Sequence, residues 1–224
     1  PWFLGFIAAF LIGVFLYLRY ENRIYKTTAQ VQIKKGDSDA SNFLTGGVEG
    51  LLSFDKVNVE NDIAVITSQH ILNQVVKQLN LQTSIYSIGK IKNTLKFNSS
   101  IPFEIEFKKP FKEQVLQIEI ANNKILIKSD SLTYTKNKGE VLDEVGVFIR
   151  TKDSIFITNQ NFKITYTSIN KAVANLKSNL TVTAASKQGE IVNLSFKGTN
   201  IKRNEAILNT LIAVLAEDQV ADKR

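Results

Sequence analysis

The sequence predicts an α+β protein, in which an N-terminal transmembrane helix precedes a mixed α/β domain with a strand-rich insert. Three observations predict this class. An uncharged apolar run opens the chain, helical periodicity returns at separated places behind it, and apolar and polar residues alternate in between. We divide the chain into a transmembrane helix at 1–20, a first part of the domain at 21–94, the insert at 95–167 and a closing part at 168–224.

The opening run, Pro1 to Leu18, has no charged residue and turns polar at Arg19. At about 1.5 Å per residue its helix reaches roughly 27 Å, close to the hydrocarbon thickness of a bilayer. A buried core helix is rarely apolar on every face, and a cleaved signal peptide would need a basic start and a small-x-small cleavage signal. We interpret the run as a permanent span. Since the chain lacks methionine, we expect it to be part of a longer reading frame.

Composition narrows the class of the remaining domain. The net charge is +7 with a pI near 9.4, and there is no cysteine, which excludes a disulfide scaffold and cysteine-ligated zinc. The charge would suit an acidic glycan or phospholipid headgroups. However, the lysines are scattered over strands and turns, as on an ordinary solvated surface. No nucleic-acid-binding module is recognisable, so we expect no nucleic acid partner.

The first part of the domain contains a strand and a helix. Strict alternation from Tyr25 to Lys34 predicts a half-buried strand, and the Gly-, Ser- and Asp-rich stretch from Gly36 to Gly50 predicts a flexible loop. Asn61 is the predicted N-cap of a helix that runs to about Asn80. Its apolar stripe consists of Val59, Ile63, Ile66, Leu72, Val75, Val76 and Leu79.

The region from Leu95 to Tyr166 alternates repeatedly and is predicted to be strand-rich. Asn122-Asn123 predicts a tight hairpin, because asparagine tolerates positive φ. The predicted strands are 103–107, 116–120, 124–128, 146–150, 155–158 and 162–166.

The closing part predicts helix, strand, strand and helix. Ser168 starts a short helix with Ala172, Val173 and Leu176 on its buried face, followed by a strand at 180–183 and a turn near 187–189. A second strand then places Val192, Leu194 and Phe196 on one face. Thr199-Asn200 caps a last helix whose stripe is Leu208, Leu211, Ile212 and Leu215.

We predict no catalytic, cofactor-binding or metal-binding residues in this chain. His70 is the one histidine, and no second histidine or cysteine accompanies it. Glu104 and Glu106 would share one face of a strand, but no acid/base context surrounds them, so we interpret them as a solvated face. The sequence also lacks a phosphate-binding loop of the Gly-x-x-x-x-Gly-Lys-[Ser/Thr] type.

Three blocks of the sequence resemble a known family. The first follows the apolar run, the second covers the predicted helix at 61–80, and the third covers the closing part. Their matching residues are Arg23, Ile24, Tyr25, Ala29, Val31 and Ile33; Asn61, Asp62, Ile63, Ser68, Val75, Val76, Leu79 and Leu81; and Leu176, Leu180, Thr181, Val182, Gly189, Leu194, Ser195, Phe196, Gly198, Ala206, Leu208 and Asn209. In this order and spacing they resemble the chain-length determinant domain of bacterial polysaccharide co-polymerases, and most of all the branch fused to a tyrosine autokinase.

The resemblance implies an inner-membrane protein whose part from about Arg19 onward is periplasmic. Such a domain assembles into a homo-oligomeric ring, works with the polysaccharide polymerase and export machinery, and governs the length and export of capsular or exopolysaccharide. The resemblance also implies a cytoplasmic kinase beyond Arg224, which alone would use ATP and magnesium. A kinase-free regulator remains an alternative for the parent protein.

Two other classes stay open for the domain. One is the extracytoplasmic sensing domain of a membrane receptor, which would enclose a ligand pocket with convergent polar groups. The other is an extracellular glycan-processing enzyme, which would need a pair of carboxylates flanking the scissile bond.

Overall fold

The computed structural model describes residues 2–32, 60–107, 113–121, 124–129, 133–137, 147–151, 160–185 and 191–221. Helices and strands alternate irregularly along these residues, which confirms an apolar N-terminal helix followed by a mixed helix and strand fold. In chain order the elements are α1 (Trp2–Tyr20), β1 (Tyr25–Gln32), α2 (60–66), α3 (Gln69–Gln78), β2 (Thr83–Ile88), β3 (Asn93–Lys96), β4 (Phe103–Phe107), β5 (Gln114–Ala121), β6 (Lys124–Lys128), β7 (Thr133–Asn137), β8 (Val147–Thr151), β9 (Gln160–Tyr166), α4 (Ile169–Asn179), β10 (Leu180–Ala184), β11 (Ile191–Gly198) and α5 (Ile201–Ala221).

The apolar helix α1 buries none of its side chains within the protein. Its length and composition suit a membrane span, and no other helix in the described ranges shares this property. Exposure of large apolar side chains on every face is unfavourable in water. The helix is therefore long, apolar and unburied within the protein, as the opening run predicts.

The rest of the described chain forms two compact units. The α/β unit holds β1, α2, α3, α4, β10, β11 and α5, and the all-β unit holds β2 to β9, apart from one or two residues at the ends of β2, β5 and β9. The six-stranded sheet of the all-β unit includes β2 and β3, which begin upstream of residue 95.

The α/β unit is built on a three-stranded antiparallel sheet in the order β1-β11-β10. The helices α4 and α5 pack on this sheet, and α3 packs on both of them. The predicted alternation of β11 is confirmed, since Val192, Leu194 and Phe196 are buried toward the helices. On β1, Thr27, Ala29 and Val31 are half-buried and lie opposite these residues.

The predicted single helix at 61–80 is wrong in one respect, because the structure divides it at Thr67 and Ser68. At the end of α2 the Thr67 hydroxyl donates to the carbonyl of Ile63 at 2.8 Å, and the backbone N–H of Thr67 donates to the same carbonyl at 3.0 Å. Ser68 is extended, and its hydroxyl accepts from the backbone N–H of Ile71, which starts α3. Short hydroxyl side chains compete with the helical backbone in this way. Asn61 is not the N-cap, since Glu60 before it is already helical.

Most of the apolar residues predicted for the helix at 61–80 are still buried on one side, although the helix is divided into α2 and α3. Ile66 on α2 and Leu72, Val75 and Val76 on α3 are buried in the core of the α/β unit. Asn80 then adopts a positive φ of 50°, which turns the chain so that Leu81 is also buried.

The helix, strand, strand and helix predicted after Ser168 are all present in the structure. Ser168 occupies the N-cap of α4, whose Ala172, Val173 and Leu176 are buried. The Asn200 side chain accepts from the backbone N–H of Arg203 at 3.0 Å and caps α5. The buried stripe of α5 is slightly broader than predicted and comprises Ile207, Leu208, Leu211, Val214 and Leu215.

The all-β unit contains a six-stranded sheet in the order β3-β2-β9-β5-β6-β7 and a pair formed by β4 and β8. Its core includes Phe103 and Phe162, whose rings meet edge to face with centroids 5.2 Å apart. The predicted hairpin is confirmed by the antiparallel register that places Ala121 opposite Lys124. Sequence alternation did not predict β7, because polar residues dominate it.

Four predicted features lie outside the described residues. They are the loop at 36–50, the turn residues 122–123, the strand at 155–158 and the turn at 187–189.

Candidate functional site

The face of the three-stranded sheet that points away from the helices is mainly polar. It carries Lys26, Thr28, Gln30, Gln32, Thr181, Thr183, Ile191, Asn193, Ser195 and Lys197. Thr28, Ser195 and Thr181 form one row across the strands, and Gln30, Asn193 and Thr183 form the next. Within the described ranges the Ser195 hydroxyl is buried without a hydrogen-bond partner. The exposed residues of this face, such as Thr28, Gln30 and Thr183, offer hydroxyl and amide groups to a polar ligand or to another protein surface.

Asn204 is a buried polar residue that connects α5 with two strands. Its side chain is 1% exposed, and its Nδ2 lies 3.2 Å from the carbonyl oxygen of Tyr25 and 3.5 Å from that of Gly198. Tyr25 and Gly198 are themselves paired at the ends of β1 and β11. A Cβ atom on Gly198 would clash with the Oδ1 of Asn204, so any other residue there would force the buried Asn204 side chain to move. This contact fixes the first turn of α5 against the start of β1.

A carboxylate holds the N-terminus of α4. Glu113, just before β5, accepts from the backbone N–H of Ser168 at 3.1 Å and from the Lys171 ammonium at 2.5 Å. The Lys171 bond, followed by the Ser168 bonds, lowers the pKa of Glu113 from 4.5 to about 2. The Glu113 side chain is 39% exposed, so solvent screens the pair. We assign this contact a structural role, because a carboxylate complements the positive end of a helix.

His70 has partners that the sequence does not indicate. It lies on α3, where its Nε2 is 2.8 Å from Nε2 of Gln74 and 3.6 Å from Oδ1 of Asp218 on α5. The imidazole is 71% exposed. The arrangement therefore links two helices at the surface of the α/β unit.

Glu104 lies on β4 with an exposed side chain, opposite Arg150 of β8 in the strand register. The backbone of Glu106 continues the same strand, and its side chain lies outside the described residues. Across the ranges that the structure describes, no three His, Cys, Asp or Glu side chains are grouped as metal ligands would be.

Sequence reasoning missed the Asn204, Glu113 and Asp218 contacts for a common reason. The Asn204 contact joins residues 179 positions apart, and the Glu113 contact with Ser168 spans 55 positions. No local pattern predicts such pairs. The one available signal was Asn204, which lies in line with the apolar stripe of α5, because a buried amide needs hydrogen-bond partners.

Comparison with known proteins gives one consistent relationship. No family model matches the chain. The chain is 23% identical over 233 residues to the tyrosine-protein kinase wzc of Salmonella typhi, and also 23% identical over 233 residues to the tyrosine-protein kinase wzc of Salmonella typhimurium. Each alignment covers 99% of this chain and 32% of the relative. The chain thus spans about a third of the length of these curated relatives. The similarity extends over nearly the whole chain, including α1, and supports a relationship at the family level to these tyrosine-protein kinases.

Proposed function

We propose that the chain is the external domain of an inner-membrane polysaccharide co-polymerase that controls the chain length and export of capsular or exopolysaccharide. The observation that carries this proposal is the continuous similarity to the wzc kinases over 99% of the chain. The apolar helix α1 supports it, since such a domain needs a membrane anchor directly before its first strand. The alternative of a receptor sensing domain gains no support from the comparison.

The proposal assigns the parts of the molecule as follows. The chain from about Arg19 onward is periplasmic, and the α/β unit assembles with further copies of itself beside the polymerase and export machinery. The polar sheet face and the net charge of +7 suit contact with an acidic glycan. A kinase domain, with its ATP and magnesium, belongs to sequence beyond Arg224.

A deletion strain tests the function. Removal of the gene from its host should change the length distribution or the amount of surface polysaccharide on gels, and the full-length gene should restore it. A version that retains α1 but lacks residues 25–221 should not restore it. Unchanged polysaccharide in the deletion strain would contradict the proposal.

Topology and assembly need a separate test. Because the chain has no cysteine, Lys177→Cys introduces a single reactive thiol at an exposed site on α4. A membrane-impermeant maleimide should label this thiol in cells whose outer membrane alone is permeable, and labelling only after lysis would contradict the orientation. A full chain that stays monomeric in detergent at every concentration would rule out the ring.

A further inference from the structure

One end of the three-stranded sheet concentrates lysine and apolar side chains. We call this end the basal rim and define it by Tyr25, Lys26, Lys197, Ile201 and Lys202. The pairing of Tyr25 with Gly198 and of Lys26 with Lys197 puts the start of β1 beside the end of β11. The Asn204 contacts with the carbonyls of Tyr25 and Gly198 hold the first turn of α5 at the same end. The five residues therefore lie together in the α/β unit.

The charges of the basal rim repel each other in the isolated protein. Lys26 and Lys197 are directly opposite on neighbouring strands and both are exposed, an arrangement of like charges that destabilises a sheet. Lys202 is exposed in the first turn of α5, where no acidic residue complements the positive end of the helix. Among the described residues none of the three lysines forms an ion pair, and the first acidic residue of α5 is Glu205. An anionic surface would relieve both the repulsion between Lys26 and Lys197 and that between Lys202 and the positive end of α5.

Exposed apolar side chains indicate which anionic surface fits. Ile201 is 45% exposed and Tyr25 is 36% exposed at the same end of the sheet as the lysines, although the alternation of β1 points Tyr25 and Lys26 to opposite faces. A soluble polyanion gains little from such groups, whereas isoleucine and tyrosine favour the boundary between lipid headgroups and acyl chains. Residues 21–24 are the whole connection between α1 and β1, and they reach at most about 18 Å when fully extended. A bilayer that contains α1 is therefore within reach of the rim.

We propose that the basal rim binds the surface of the bilayer through acidic phospholipid headgroups. The three lysines contact the phosphates, and Tyr25 and Ile201 enter the headgroup region. This contact would restrain the α/β unit against the membrane at a second point, in addition to the covalent connection through α1. The proposal depends on α1 as a membrane span and not on a role in polysaccharide synthesis.

Fluorescence quenching in nanodiscs tests the contact with the full chain. Trp2 is the single tryptophan, so Ile201→Trp in a Trp2→Phe background places one indole at the rim. Brominated phosphatidylcholine discs with and without phosphatidylglycerol supply the quencher. Quenching should be stronger with phosphatidylglycerol and should fall as salt is raised, because screening weakens the attraction. Each lysine near an acidic surface contributes about a five-fold gain in membrane partition.

Charge variants identify the groups responsible. The triple change Lys26→Gln, Lys197→Gln, Lys202→Gln should abolish the effect of phosphatidylglycerol, whereas arginine at the same positions should preserve it. A matched control changes the exposed Lys90, Lys92 and Lys124 of the all-β unit to glutamine and should leave quenching unchanged. If the glutamine triple variant fails to fold, the salt dependence of quenching in the Ile201→Trp, Trp2→Phe chain still tests the role of charge.

Three results would overturn the proposal. Equal quenching with and without phosphatidylglycerol would remove the role of acidic lipid. Reversal of the quenching by low concentrations of soluble alginate would show that the rim prefers a free acidic polymer. In the chain with its native Trp2, absence of quenching would show that α1 is outside the bilayer, which would also contradict the membrane placement in the proposed function. Failure of the rim alone would leave that function unaffected.

Discussion

The α/β unit and the all-β unit are assembled from the chain in different ways. In the α/β unit, β1 pairs with β11 so that Tyr25 lies opposite Gly198, and the core combines α3 with α4 and α5. In the all-β unit, β5, β6 and β7 follow one another in the chain and pair as neighbours. The first unit therefore depends on contacts between distant segments, and part of the second forms from local hairpins.

Hydrogen bonds close the point at which the all-β unit leaves and rejoins the α/β unit. The backbone N–H of Thr167 donates to the carbonyl of Gln82 at 2.9 Å, and the Gln82 amide donates to the Tyr166 hydroxyl at 3.4 Å. The two ends of the insertion are thus adjacent within the α/β unit. Strand β2 therefore leaves the α/β unit beside the point where β9 returns to it, and the two strands are neighbours in the six-stranded sheet.

The largest expected effect comes from removal of the inserted sheet. We expect a chain in which residues 84–164 are replaced by a short Gly/Ser linker to keep the α/β unit folded, because its core residues all lie outside that range. The replacement also removes the exposed Glu113 contact with α4, which should cost little by comparison. Circular dichroism should retain the helical signal and a cooperative thermal transition. As a control, Leu194→Ala in the shortened chain should cost about 2–5 kcal/mol, since Leu194 is fully buried. A shortened chain without a cooperative transition would show that the units are interdependent.

An intermediate effect is expected where α5 meets β1. Asn204→Ala leaves two carbonyls without their donor and should lower the free energy of unfolding by about 2 kcal/mol. Gly198→Ala should also destabilise the unit, because the new Cβ would clash with the Asn204 side chain. The double variant should lose less stability than the sum of the two single losses, because alanine at position 204 removes the clash with the new Cβ atom at position 198. Urea denaturation of the four proteins measures this, and strict additivity would contradict the contact.

The smallest effect is expected at Glu113, which precedes β5 yet holds α4. The folded pKa of about 2 lies below the ordinary value of 4.5, so the carboxylate stabilises the folded state at pH above 4.5. This contribution declines as the pH falls toward 2, where the folded group also gains its proton. Glu113→Gln should therefore be less stable than the parent at pH 7, and the difference should vanish near pH 2. Denaturant titrations at several pH values check this, and a difference that grows in acid would contradict it.

Hydrophobic periodicity predicts some elements of the two units and misses others. Periodicity predicted β1, β11 and the buried faces of α4 and α5, because one side of each element must be apolar. It predicted a single helix at 61–80, but the structure divides that helix at Thr67 and Ser68, where Ser68 is extended and caps α3. It missed β7, whose residues are polar, because pairing with β6 rather than its own pattern forms that strand. The candidate surfaces were harder still, since both the polar sheet face and the basal rim depend on strand register.

By itself the sequence determined that an apolar helix opens the chain and that a mixed α/β fold follows, since hydrophobic periodicity is a local property of the chain. It also carried the similarity to the tyrosine-protein kinases wzc, on which the proposed function is based. Strand register and helix packing, by contrast, bring Asn204 to Tyr25 and Gly198, bring Glu113 to α4, and place Lys26 opposite Lys197. These contacts join residues far apart in the chain, and their partners are selected by the packing of the whole unit rather than by any neighbouring residue.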